Sequence, residues 1–193
     1  MGTARVQLDA AREAAERIVS HISPATVRCV VAGSVRREKP EVGDIEVVAQ
    51  AADGERLVRL LEEVGQPIKP GVPGVVPWPL KPDAKYMRLR LPELECNLDL
   101  FLASELNWGG LLLMRTGSGA DLKGNTFNGF TPGCFSRWKR LSGGGRMVGC
   151  QPLRPDGELL PLREEADFFD LLELDFIPPV RRTSRAVIKE FIR

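Results

Sequence analysis

The chain has 193 residues, with 27 Lys and Arg against 26 Asp and Glu, one His and four Cys. This length suits one compact domain or two small lobes and can bury a hydrophobic core, but it is too short for a large multidomain machine. No apolar run approaches the ~20 residues of a membrane-spanning helix, and the polar N-terminal residues do not resemble a signal peptide, so we expect a cytoplasmic protein. The cysteines form no C-x-x-C pair, which argues against a zinc ribbon and predicts reduced thiols.

The near-neutral net charge of +1 conceals an uneven distribution. Residues 111–150 hold six basic side chains and one acidic side chain, together with nine of the 19 glycines, whereas residues 1–65 and 151–193 each carry a net charge of −2. A basic, Gly-rich segment is either a solvated loop face or a surface for a polyanion such as nucleic acid. Composition alone leaves both interpretations open.

The hydrophobic pattern predicts an α+β protein. Taken in chain order, the first half contains a helix over 8–22, strands over 27–32 and 44–50, a helix over 52–64, and a hairpin of strands 85–91 and 96–103. Six prolines and two glycines in residues 66–84 predict a long exposed connection before that hairpin.

The second half of the chain is less regular. Residues 110–114 begin a helix or a short strand, and most of 117–150 is expected to be irregular apart from one helix near 135–141. A hairpin is predicted over 153–162, with its turn at Pro155-Asp156-Gly157, and a helix over 164–174.

Two carboxylates stand two residues apart on the predicted strand 44–50. Asp44 and Glu46 therefore project from one face of the strand, while Ile45 points into the core. Asp99 lies in a similar setting, between two leucines of the strand 96–103. Three such acids on adjacent strands would form an oxygen-rich site for Mg²⁺ or Mn²⁺. The alternative is ordinary alternation, with polar side chains on the solvent face of a half-covered sheet.

The turn before these acids carries groups that suit a phosphate. Gly33 allows backbone N–H groups to approach an anion closely, the Ser34 hydroxyl can donate to phosphate, and Arg36 and Arg37 each offer a fork of donors. Phosphate donors about ten residues before paired acids fit a nucleoside triphosphate that a metal bridges to the protein.

These motifs resemble the signature of the nucleotidyltransferase superfamily, and specifically that of the family X DNA polymerases of the polymerase beta type. The resemblance covers most of the chain in collinear order and looks closest to the short palm-plus-thumb members of phages and bacteria. It implies a nucleotidyltransferase palm over 1–112 and a thumb over 113–193. The matching segments are A-G-S-V-R-R at 32–37, V-G-D-I-E at 42–46, N-L-D-L-F at 97–101, R-T-G-S at 115–118, F-F-D-L-L at 168–172 and I-P-P-x-x-R at 177–182.

The resemblance also implies an activity. The expected reaction adds dNMP from dNTP to a primer 3′-OH by two-metal catalysis, in gap filling or DNA repair. The expected cofactors are two Mg²⁺ ions, with Mn²⁺ as an alternative. The expected partners are dNTP and primer–template or gapped DNA, with no membrane, and we expect a monomer in a bacterial or phage-infected cell.

Each of these roles falls on particular residues. The expected catalytic and metal-binding residues are Asp44, Glu46 and Asp99. The nucleotide-binding residues are Gly33, Ser34, Arg37, Thr116, Gly117 and Ser118, with Arg5 as an added candidate for a phosphate contact. The DNA-binding residues are Arg137, Lys139, Arg140 and Arg146, and Trp138 is either a stacking residue or a core anchor.

The sequence departs from the family pattern at two places. Glu46 stands where family X polymerases usually have Asp, and Met114 and Arg115 stand where the larger enzymes often have an aromatic pair beside the sugar, which leaves sugar selectivity open. No segment of this sequence has the length or pattern of the lyase region of those enzymes. One alternative is therefore a nucleotidyltransferase that acts on an RNA end, a small molecule or a protein, and another is an inactive DNA-binding or scaffold module.

Overall fold

The computed structural model describes residues 5–72, 74, 77–120 and 123–193, which form an α+β fold. The chain divides into two units, Met1–Ala103 and Ser104–Arg193. Residues 73, 75 and 76 of the predicted connection 66–84 lie outside the described residues. Within the described ranges, no helix is long and apolar enough to cross a lipid bilayer.

The first unit is built on a mixed five-stranded sheet. Its strand order is β2-β4-β7-β6-β5, in which β4 and β7 run parallel and the other neighbours run antiparallel. Strands β1 and β3 pair separately as a short ribbon. The elements are β1 (Val6–Gln7), α1 (Leu8–Ile22), β2 (Thr26–Val31), α2 (Gly33–Arg36), β3 (Glu41–Val42), β4 (Asp44–Ala51), α3 (Gly54–Val64), β5 (Gln66–Pro67), β6 (Tyr86–Leu91) and β7 (Cys96–Leu102).

One face of this sheet packs against α1 and α3. Ile45 of β4 and Leu98 of β7 share a buried cluster with Ile18 of α1 and Leu61 of α3. The predicted helix 8–22 is confirmed residue for residue, and each of the four predicted strands is found with bounds shifted by one residue or less at either end. Helix α3 begins later than predicted because Asp53 caps it, accepting a hydrogen bond from the backbone N–H of Arg56 at 2.9 Å.

The second unit combines helices with a short hairpin. Its elements are α4 (Trp108–Thr116), α5 (Phe130–Leu141), β8 (Arg146–Val148), β9 (Gln151–Leu153) and α6 (Glu165–Leu171), followed by 3₁₀ turns at Pro179–Arg181 and Arg185–Phe191. The predicted boundary between residues 112 and 113 falls inside α4, whose Leu113 belongs to the buried cluster of the second unit.

The predicted hairpin over 153–162 requires correction. Strand β9 pairs with β8 on its N-terminal side, so the hairpin spans 146–153 instead. The Pro-Asp-Gly segment does form a turn, closed by the N–H of Gly157 donating to the carbonyl of Arg154 at 3.0 Å. On either side of it, the N–H of Arg154 donates to the carbonyl of Glu158 and the N–H of Leu160 to that of Pro152, both at 2.8 Å, so the strand pairing in this described segment is the bridge between Leu153 and Leu159. The sequence therefore predicted this turn correctly, but not that β9 pairs mainly with β8.

A buried ion pair organises the C-terminal part of the second unit. The Arg182 side chain is fully buried, and its guanidinium donates to the carboxylate of Glu165 at 2.6 and 3.3 Å. Its Nε donates to the carbonyl of Ile177 at 2.8 Å, and its guanidinium carbon lies 5.1 Å from the ring centroid of Phe169 and 5.2 Å from that of Phe176. The arginine thus neutralises the buried carboxylate of α6 and fixes the chain end against it.

Candidate active site

The three predicted acids project from one face of the first unit's sheet. The parallel register of β4 and β7 sets Asp44 opposite Asn97 and Glu46 opposite Asp99. Paired residues of neighbouring strands point to the same side of a sheet, so all three carboxylates lie on the face away from α1 and α3. We call this face, defined by Asp44, Glu46 and Asp99, the acidic face. The predicted shared face is confirmed, whereas the catalytic role of the three acids stays a prediction.

The negative charges of Asp44 and Asp99 on the acidic face repel each other. Burial raises the pKa of Asp44, and the nearby Asp99 carboxylate raises it further. The positive charges of Arg88, Arg37 and Arg5 act in the opposite direction but do not cancel this effect. An ionised Asp44 is therefore held at a cost in this site, which is the situation that a bound cation relieves.

Two residues of β6, absent from the sequence-based site, hold the third acid. Arg88 stands opposite Asp99 in the antiparallel register of β6 and β7. Its Nε donates to Oδ1 of Asp99 and its Nη2 to Oδ2, each at 2.5 Å, and the hydroxyl of Tyr86 donates to Oδ1 at 2.7 Å. The Tyr86 ring stacks on Phe101 with a centroid separation of 4.9 Å. The hydrogen bond with Asp99 raises the pKa of Arg88, while burial is the main reason that the pKa of Tyr86 is raised.

The predicted phosphate turn lies directly beside the acidic face. Gly33 begins the single turn α2 with a φ of +63°, and a Cβ at this position would collide with the Glu46 side chain. The positive φ therefore favours glycine, and a larger residue would also displace the Glu46 carboxylate. Burial lowers the pKa of Arg37, and the nearby charges of Glu46 and Asp44 only partly offset this effect. Ser34 is partly exposed in the same turn, so the structure brings the predicted phosphate donors and two of the acids together.

The acidic face fits a hard divalent cation in its donor types but not in its present arrangement. Carboxylate oxygens on one face are the ligands that Mg²⁺ prefers. Among the described residues, however, no three His, Cys, Asp or Glu side chains converge closely enough to hold a metal. Both oxygens of Asp99 are held by Arg88, and the Glu46 side chain lies against Gly33. The three acids share a face without forming a closed ligand set.

The predicted T-G-S turn belongs to the second unit and is held by hydrogen bonds within that unit. Thr116 is the buried last residue of α4, and Gly117 follows as its C-cap. The N–H of Ser118 donates to the carbonyl of Arg182 at 3.0 Å, and its hydroxyl accepts from the N–H of Phe130 at 3.2 Å. These bonds give the turn a structural role, and its predicted contact with nucleotide stays a prediction.

The predicted DNA contact of Arg137 is wrong for a physical reason. Arg137 is only 8% exposed, and its Nε donates to the carbonyl of Leu172 at the end of α6 at 2.5 Å. A buried guanidinium that already satisfies the last carbonyls of a helix is unavailable to a phosphate. Trp138 is also buried, at 4% exposure, so its interpretation as a core anchor is the one that the structure supports.

The other three predicted DNA-binding residues are placed as such a role requires. Lys139 and Arg140 are exposed at the end of α5, and Arg146 is exposed at the start of β8. Within the described ranges, no ion pair joins any of the three to an acidic side chain. They therefore retain a positive charge that an anionic partner could neutralise.

Asp44 gives the acidic face a measurable effect on stability. Because its pKa is raised in the fold, the ionised form destabilises the protein above that pKa, and acidification relieves the cost. We expect Asp44→Asn to raise the unfolding temperature at neutral pH without added metal. The gain should shrink as the pH falls and vanish below about 4, where an unfolded Asp is also protonated. Thermal unfolding in EDTA from pH 4 to 8 measures this, and an unchanged or lower unfolding temperature at pH 7 would contradict it.

Comparison with models of known protein families finds no match for this chain, and comparison with curated proteins finds no significant relative.

Proposed function

We propose that the protein is a nucleotidyltransferase of the polymerase beta type, which transfers dNMP from dNTP to the 3′-OH of a primer in gap filling or DNA repair. The observation that carries this proposal is the acidic face, on which Asp44, Glu46 and Asp99 project together beside the Gly33 turn. In this proposal the first unit acts as the palm and the second unit as the thumb.

The candidate site residues of the first unit have different roles in phosphoryl transfer. Held by Asp44, Glu46 and Asp99, Mg²⁺ or Mn²⁺ would supply the charge neutralisation that transfer at the α-phosphorus requires. Arg37 and the Ser34 hydroxyl donate hydrogen bonds to oxygens of the triphosphate. Because Gly33 has no side chain, the triphosphate can approach the backbone N–H groups of this turn.

Primer extension tests the proposal. A labelled primer is offered in a one-nucleotide gap, on an open template and as a single strand, with dNTP or rNTP, in Mg²⁺, in Mn²⁺ and in EDTA. The proposal predicts extension of the gapped primer by one dNMP in Mg²⁺ and none in EDTA. Incorporation of rNTP alone would instead favour a nucleotidyltransferase with another acceptor, and DNA binding without any turnover would favour the scaffold module.

The exposed cations of the second unit predict a salt-dependent affinity for DNA. A protein that neutralises phosphates releases counterions, so its affinity falls as salt rises. Replacing Lys139, Arg140 and Arg146 together by Ala should reduce the slope of log K against log salt by about 2–3, since each phosphate contact contributes roughly one. Fluorescence anisotropy with gapped DNA at several salt concentrations measures the slope. Arg59→Ala, which removes an exposed charge of α3, is the control, and an equal slope for triple variant and wild type would contradict the prediction.

A further inference from the structure

An open groove of about 640 Å³ lies in the first unit beside α1 and α3, the helices that cover the other side of the sheet from the acidic face. Its walls are α1, the junction of α3 with β5, and the turn between β6 and β7. The α1 wall consists of residues 14, 17, 18 and 21, whose spacing places them along one face of the helix. At about 1.5 Å per residue, this wall is about 10 Å long. None of the residues assigned to nucleotide or DNA binding lines the groove.

The buried side chains of the groove are apolar. Ile18 of α1 and Leu91 of β6 belong to the core cluster of the first unit. Val64 and Leu94 pack against that cluster and keep part of their surface exposed in the groove. A bulky apolar side chain bound there would remove this remaining apolar surface from water. The bottom of the groove therefore suits an apolar anchor.

Two unpaired acids stand on different walls of the groove. Glu62 lies near the end of α3, and Glu93 lies on the turn after β6, and both are exposed. Within the described ranges, no ion pair joins either of them to a basic side chain. The groove therefore offers two negative charges to a bound partner.

The basic side chains of the α1 wall do not neutralise these two acids. Arg17 donates through Nη1 to Oε1 of Glu13 at 2.8 Å, and Glu13 does not line the groove. The Nε2 of His21 lies 3.2 Å from Oε2 of Glu63. Both basic residues thus already stand beside an acid of their own, and the charge that remains for a partner is negative.

We propose that this groove is a docking site for an extended segment of a partner protein, in which a bulky apolar residue stands between basic residues. At about 3.3 Å per residue, three extended residues span the groove. The apolar side chain contacts Ile18, Leu91 and Leu94, and the Lys or Arg side chains beside it pair with Glu62 and Glu93. An acidic segment or a nucleic acid is repelled by the same carboxylates. The proposal is independent of nucleotidyl transfer, because the groove contains none of the candidate site residues.

Selection from a phage-displayed library of short random peptides tests the chemistry of the partner without assuming its sequence. Wild-type protein is the target, and the double variant Glu62→Gln/Glu93→Gln is used for counter-selection. The proposal predicts enriched peptides that carry an apolar residue between Lys or Arg residues. Failure to enrich peptides, or enrichment of peptides without basic residues, would overturn it.

Two other acids of the same elements provide a matched control. Glu55 lies in the first turn of α3 and Glu95 at the end of the β6–β7 turn, and both are exposed outside the groove. A fluorescein-labelled enriched peptide should bind Glu62→Gln/Glu93→Gln about tenfold more weakly than wild type, because two surface ion pairs are lost. Glu55→Gln/Glu95→Gln removes the same charge and should change Kd by less than about twofold. Equal Kd values for the two double variants, measured by fluorescence anisotropy, would contradict the proposal.

Nuclear magnetic resonance of the ¹⁵N-labelled full chain locates the bound peptide. Its largest amide shifts should fall on the groove, at Ala14, Ile18 and Leu94, and shifts confined to other parts of the chain would overturn the docking site. Primer extension by Glu62→Gln/Glu93→Gln should equal that of wild type, and a loss of extension in this folded variant would contradict the independence of the groove. Failure of wild-type protein to extend any primer would refute the proposed function alone, since peptide binding is measured without DNA or nucleotide.

Discussion

Replacing Asp44 by Asn is expected to reduce Mg²⁺-dependent incorporation of dNMP by about 10³-fold or more, while the protein remains folded and becomes more stable. The loss corresponds to about 4 kcal/mol of charge stabilisation in the transition state, the scale on which a metal-binding carboxylate contributes. The gain in stability has a separate cause, the raised pKa of Asp44 in the fold. Single-turnover extension of a gapped primer measures the rate.

This pair of effects separates a catalytic role from a structural one. A variant that unfolds loses activity and stability together, whereas Asp44→Asn should lose only activity. Asp99→Asn should also lose incorporation, but it deprives Arg88 of its partner, so its stability is expected to fall. Glu16→Gln, on the exposed face of α1, removes one acidic charge far from these contacts and serves as the control. Retention of more than a tenth of wild-type activity by Asp44→Asn would contradict the assignment.

The second large effect concerns the stability of the second unit. Glu165→Ala leaves the fully buried guanidinium of Arg182 without its carboxylate, and breaking a buried pair in this way costs about 3–5 kcal/mol. Urea unfolding followed by tryptophan fluorescence reports the change, because Trp138 lies in the same buried cluster as Phe169, whose ring lies beside Arg182.

An exposed ion pair of the same unit provides the matched control. Glu190 pairs with Arg181 at 2.5 Å, with both side chains about half exposed. Glu190→Ala should therefore cost at most about 1 kcal/mol, as expected for a surface pair. A cost for Glu165→Ala no larger than that for Glu190→Ala would show that the buried pair does not hold the C-terminal segment.

The regular part of the fold was predictable because its signals are local. Helix α1 and strands β2, β4, β6 and β7 follow from amphipathic or alternating patterns within single segments. The shared face of Asp44 and Glu46 follows from the two-residue period of a strand. The position of Asp99 on the same face does not follow from the pattern of one strand, because it depends on the parallel register of β4 with β7.

The other contacts of the site depend on pairing between distant segments of the chain, which cannot be predicted from the pattern of a single sequence. Nothing local distinguishes Arg88, which meets Asp99 across a hairpin, from Arg90, which does not. Arg137 and Lys139 lie in one basic run, yet one caps a helix inside the core and the other is exposed. A guanidinium can donate to buried carbonyls as well as to phosphates. The residue types and the run of basic residues therefore predicted a basic surface, but not which of these residues belong to it.

The central claim is that the acidic face transfers a nucleotide, and extension of a one-nucleotide gap tests it most directly. Wild-type protein is incubated with gapped DNA and the complementary dNTP in Mg²⁺ and in Mn²⁺, next to the Asp44→Asn variant and an EDTA control. We predict a product longer by one nucleotide for wild type alone. Absence of product from wild-type protein in both Mg²⁺ and Mn²⁺, or equal product from Asp44→Asn, would contradict the claim.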